Sequence, residues 1–139
     1  MDRRDLMKGM GLMAAAMTSA ELHAEAGDTP AFELRVYHTN EGKLDDLLAR
    51  FRNHTMALFT RHGIVSVAYW VPTDEGPLKG RTLFYMVKYP SRAVAAAMWK
   101  AFSTDPEWVQ VRTASEVNGK LVEHVDSTFL ERTDFSPRV

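Results

Sequence analysis

The side chains here that could do chemistry are chiefly histidine, arginine, tyrosine and carboxylate, and the chain contains no cysteine. Disulfides, thiolate metal centres and thiol nucleophiles are thereby excluded. The histidines are His23, His38, His54, His62 and His124. None forms a His-x3-His pair on a helix, and His54 and His62 stand too far apart to share one ion, so no metal and no cofactor is expected. A haem would need a histidine on the helical wall of a large cavity, and a lone histidine is weak support for one. His54 reads as a pocket acid or base, or as polar helix surface. His62 stands at a helix end, where the dipole favours a cation. His124 alternates with Val125 on a strand and faces either an interior or the strand surface.

Arg35 and Tyr37 share one face of a strand. On a pocket wall, Arg35 could hold a carboxylate or enolate while Tyr37 donates a hydrogen bond. Otherwise Arg35 makes a structural ion pair with Glu33 or Glu116, and Tyr37 packs at an interface. Trp70 and Tyr85 are candidate aromatic walls, whereas Trp99 and Trp108 read as packing anchors. The candidate ligand pocket is thus Arg35, Tyr37, His54, Trp70, Tyr85 and His124, with no residue assigned a catalytic role. No Gly-x-Ser-x-Gly elbow, phosphate-binding glycine loop or paired-carboxylate motif is present.

Those residues need elements to position them. Ala31 to Thr39 alternates, with Phe32, Leu34 and Val36 on one face and Glu33, Arg35 and Tyr37 on the other, which predicts a strand. From Lys43, apolar residues recur by threes and fours through Phe59, an amphipathic helix of about five turns closed by Gly63. Ile64 to Val71 and Thr82 to Tyr89 are strands around a loop rich in proline and glycine. Arg92 to Phe102 is a second helix with Ser91 as N-cap, and Asp105-Pro106-Glu107 starts a third. Leu121 to Leu130 is the last strand, followed by an aperiodic tail. Strand, helix, strand, strand, helix, strand is the order of a ferredoxin-like βαββαβ domain, α+β in class, with an antiparallel four-stranded sheet.

The helices of such a domain cover one side of the sheet, and the other side would still display large apolar residues. A patch of that kind is unusual on a monomer, so a homodimer pairing sheet on sheet is expected. Seventeen basic residues oppose eighteen acidic ones. That balance gives no electrostatic reason to expect nucleic acid or an anionic membrane as partner.

Residues 1–26 have the parts of a secretory leader: Arg3-Arg4 with Leu6 and Lys8, a modestly apolar run from Gly9 to Ala20, and Ala24-Glu25-Ala26 for cleavage. The paired arginines resemble the twin-arginine motif, with Asp2 and Leu6 departing mildly from it. The apolar run is too short to span a bilayer, which takes about 20 residues. Export, to a periplasm or beyond, is expected, with residues 27–139 as the mature domain and no stable membrane insertion.

Glu33-Leu34-Arg35-Val36-Tyr37, Gly42-Lys43-Leu44, His62-Gly63, Tyr69-Trp70, Tyr89-Pro90-Ser91, Asp105-Pro106-Glu107-Trp108 and Phe135-Ser136-Pro137 together resemble the NIPSNAP family. The resemblance spans nearly all of the mature domain and implies a ferredoxin-like unit pairing into a dimeric α/β barrel. It implies little chemistry, because the family has no generally established reaction, and fold alone does not assign function. Two functions are expected from this reading. One is an exported homodimeric module that binds a small organic ligand or a partner. The other is a cofactor-independent enzyme, monooxygenase- or isomerase-like, acting on a small organic molecule inside the barrel.

Overall fold

Period-two alternation and β-branched or aromatic residues build a sheet whose strand order is β2-β3-β1-β4, every pair antiparallel. The structure is a computed structural model describing residues 29–139, so the expected leader and its cleavage site lie outside the described residues. The strands are β1 (Ala31–Thr39), β2 (Val65–Trp70), β3 (Thr82–Tyr89) and β4 (Val122–Leu130). Helix α1 runs as Leu44–Arg50, a π-helical segment Phe51–Thr55, and Met56–Arg61; α2 is Arg92–Ser103 and α3 is Pro106–Ser115. This is the ferredoxin-like α+β arrangement.

Local chemistry explains the joints. Gly63, at φ 74°, takes the left-handed turn that ends α1. Asp105 caps α3 through Oδ1, which accepts from the Glu107 amide at 2.9 Å, and Pro106 occupies the first turn. Ser91 holds the extended N-cap backbone of α2, but its hydroxyl makes no capping bond. His62 Nε2 lies 2.7 Å from Asp105 Oδ2, tying the end of α1 to the start of α3. The π segment was not visible in the periodicity. Its wide turn is closed by the Met56 amide donating to the Phe51 carbonyl, and the Thr55 hydroxyl donates to the Arg50 carbonyl at 3.3 Å.

The helices cover the face of β1 that carries Glu33, Arg35 and Tyr37, not the face of Phe32, Leu34 and Val36. Register places Arg35 opposite Tyr85 on β3 and Ser127 on β4. Tyr37, Leu83, Tyr85, Val87 and Tyr89 therefore pack under Leu47, Phe51, Phe59, Ala95 and Phe102 from the helices. The side away from the helices is the apolar side of β1, continued by Phe84 and Met86 on β3 and by Ala68 and Trp70 on β2. Val65 and Trp70 there are each 51% exposed.

Candidate functional site

Glu33 and Arg35 are two positions apart on β1, so the pleat aims both at the helices, and burial obliges each to find partners. Arg35 Nη1 donates to Glu33 Oε2 at 2.6 Å, and Ser127 Oγ donates to the same oxygen at 2.5 Å. Tyr89 donates to Glu33 Oε1 at 2.7 Å. The other edge of the guanidinium turns to tyrosines. Nε donates to the Tyr85 hydroxyl at 3.0 Å and Nη2 reaches the Tyr37 hydroxyl at 3.5 Å, while Tyr85 donates onward to Tyr37 at 2.9 Å. Trp99 on α2 closes the hub, its ring 4.0 Å from the Arg35 guanidinium carbon. The ion pair is with Glu33; Glu116 instead accepts from the Leu121 amide at 3.0 Å.

The charges follow from these contacts. Burial alone would raise the Glu33 carboxyl. Hydrogen bonds from Ser127 and Tyr89 and the charge of Arg35 outweigh it, and the group sits below its ordinary value. Arg35 is held firmly charged against its own burial by Tyr37, Tyr85 and Glu33. Burial keeps Tyr85 protonated well beyond the ordinary phenol range.

The chain of donors runs to Tyr37. Its hydroxyl accepts from Tyr85 and Arg35, and its own proton has no protein acceptor among the described residues. Tyr37 lines a cavity of about 320 Å³ between the β1–β4 side of the sheet and the helices. Phe51, Trp99, Phe102 and Trp108 give the cavity aromatic walls. Arg50, Arg112 and Lys120 contribute positive charge, and Glu116 and Glu123 negative charge. Arg50 immediately precedes the π segment and Thr55 is its last residue, and both line the cavity. Arg50 is 6% exposed, sits over the Trp108 ring and donates through Nη1 to Ser115 Oγ at 3.2 Å. Its Nε–H is buried with no acceptor among the described residues. The Tyr37 hydroxyl and the basic residues of this wall can receive an oxygen acceptor, charged or carbonyl, on a flat apolar body.

The structure thus brings Arg35, Tyr37 and Tyr85 into one network and holds the other candidates apart. Trp70 stands opposite Phe84 at the end of β2, on the side away from the helices. His54 is exposed in the π segment and lines a separate groove with Asp46 and Gln110. His124 reaches the cavity only at its rim, because its ring stacks on His38 at 4.1 Å on the opposite face of the sheet. Arg35 lies behind Tyr37 and borders a smaller cavity of about 260 Å³ beside Arg92 and Phe129.

The NIPSNAP family profile matches residues 32–137. This chain belongs to the NIPSNAP family. Similar solved structures include an uncharacterized NIPSNAP-like domain protein from Burkholderia xenovorans, at TM-score 0.67 and 19% identity over 80% of this chain and 91% of that one. A NIPSNAP family protein from Agrobacterium tumefaciens is 28% identical over 78% of this chain and 97% of its own, at TM-score 0.65. A second NIPSNAP domain protein from Burkholderia xenovorans is 23% identical at TM-score 0.64, over 78% and 99%. No curated protein matches the chain. Their likeness extends to the fold and the NIPSNAP domain, and none of these descriptions states a ligand or reaction.

Two features of this NIPSNAP domain escaped the residue-by-residue reading. Arg50 is one of several basic residues on a helix, and only its burial against Trp108 marks it. His124 and Asp126 alternate on one strand face, a signal present in the sequence, but His38 joins them only through the β1–β4 register.

Proposed function

We propose that this NIPSNAP chain is an exported homodimeric module that binds a small, flat organic molecule carrying a carboxylate or carbonyl oxygen. The observation that carries the reading is the Tyr37 hydroxyl, which keeps a proton to donate at the wall of an aromatic cavity. The positive charge of Arg50 on the same wall adds to it. Aromatic walls suit a planar apolar body, and a fixed hydroxyl donor beside a positive charge selects its oxygen end. Export is supported by the paired arginines and the small-x-small site of residues 1–26. Pairing of two copies is supported by the apolar face with Trp70, Phe84, Met86 and Leu34, which a second copy would cover.

Native mass spectrometry of the protein recovered from its own host tests the proposal, with benzoate and 4-hydroxybenzoate as added probes. We expect a dimer mass with a retained organic ligand or a bound probe, and loss of that ligand in Tyr37→Phe. A chain that carries no ligand and shifts with neither probe, or one whose Tyr37→Phe variant binds equally, overturns it.

A second reading, a cofactor-independent enzyme working on the same ligand, is favoured by one observation. A hydroxyl that accepts two hydrogen bonds is polarised as a donor, and Tyr37 is so placed. It requires that the recovered ligand be converted on incubation with the protein, to a new mass for an oxygenation or to a chromatographically distinct species of the same mass for an isomerisation.

A further inference from the structure

On the face of the sheet opposite the cavity, His38, His124 and Asp126 gather around one point. His38 on β1 stands directly across from His124 on β4, and Asp126 lies two residues further along β4 on the same face. The register shifts immediately after His38, where Thr39 pairs with Val122 and Glu123 is the extra residue. Such bulges turn side chains at the margin of a sheet. The two imidazoles stack 4.1 Å apart with 12° between their planes. Both present Nε2 to the same carboxylate oxygen: His38 lies 2.8 Å from Asp126 Oδ2 and His124 lies 3.9 Å from it.

We propose that these three residues bind a divalent first-row transition metal such as Zn(II). Two neutral imidazoles and one carboxylate are the donors that borderline ions prefer. Three ligand atoms, one from each residue, lie within 4.8 Å of one another. Around a tetrahedral ion, with bonds of about 2.0–2.2 Å, neighbouring donors stand roughly 3.3–3.5 Å apart. The difference is within reach of side-chain rotation, because His124 and Asp126 are 55% and 65% exposed while their strands are paired along their length. Without an ion, the His38 ring donates to Asp126 and the His124 ring has no side-chain hydrogen bond among the described residues. An ion at that point engages both rings at once. Three protein ligands leave at least one position to water, the arrangement of a site able to bind a further small ligand. The three residues lie on the sheet face that a second copy would cover, and His124 also reaches the cavity rim, but neither Tyr37 nor Arg50 touches the cluster, so the metal site is tested separately from the proposed organic ligand.

Calorimetric titration of the full chain with ZnCl2, together with the visible absorption of the Co(II) form, tests the proposal. One ion per chain is expected. Affinity should fall at least about a hundredfold in His38→Ala and in Asp126→Asn, more than the ~10–100-fold that residues merely supporting a ligand carry. His54→Ala and His62→Ala should leave affinity and the Co(II) spectrum unchanged. Far-UV circular dichroism confirms that each variant is folded, so a lost site is distinguished from a lost fold. Absence of saturable binding, stoichiometric binding that survives His38→Ala with His124→Ala, or equal loss in His54→Ala overturns the proposal.

Discussion

At the scale of single residues, the Glu33–Arg35 pair decides most. Glu33 is buried, Arg35 is largely covered and each hydrogen bond has a named partner, so removing one partner is worse than removing both. Arg35→Met should lose about 3–5 kcal/mol of stability in urea unfolding, because Glu33 is left charged and buried. Glu33→Gln with Arg35→Met should lose less than the single change. Acid acts on the same network. Glu33 and Asp105 sit below their ordinary values of 4.5 and 3.8, Glu33 because its hydrogen bonds and Arg35 overcome burial, Asp105 chiefly through His62 and the Glu107 amide. A depressed carboxyl stabilises the fold fully above its unfolded value, and that stabilisation is lost as pH falls through the folded value. Unfolding midpoints measured against pH should therefore drop below about pH 4, and Asp105→Asn should remove part of that dependence. The Arg35–Tyr37 adjacency was readable from alternation alone, as was an ion pair with Glu33. Tyr89 and Ser127, which complete the carboxylate's shell, were not: they lie 56 and 94 positions away, and only strand register brings them near.

Among elements, the joint between α1 and β2 carries the clearest consequence. Gly63 is at φ 74°, and a β-carbon there would stand 3.0 Å from Met98 Cε. The flexible methionine end can move aside, but the left-handed backbone resists a side chain by about 1–2 kcal/mol. Gly63→Ala should lower stability by roughly that amount in urea unfolding. Strand spans were legible because alternation and the flanking proline and glycine residues mark them, and β1 and β3 run over the residues expected. The π segment was not legible. Its buried residues, Phe51 and Thr55, keep the three-and-four spacing of an α-helix, so the wider turn alters hydrogen bonding without altering the pattern.

For the whole molecule, alternation divides β1 into two faces without saying which the helices take. The charged face is covered because the aromatic residues of β3, Tyr85 and Tyr89, share it and supply its hydrogen bonds. The apolar face is left to meet water or a second copy. If a copy covers it, Trp70→Glu should convert a sedimenting dimer to a monomer while circular dichroism stays unchanged, since Trp70 is half exposed within one chain. The same chain carries its own optical reporters. Its three tryptophans fall into separate surroundings: Trp70 on the uncovered face, Trp99 stacked on Arg35, and Trp108 8% exposed over Arg50 at the cavity wall. Indole emission shifts to the blue as water leaves the ring, so a variant retaining only Trp70 would signal association of two copies. One retaining only Trp108, already largely shielded from water, would report filling of the cavity through a change in emission intensity, letting the two events be followed separately by fluorescence.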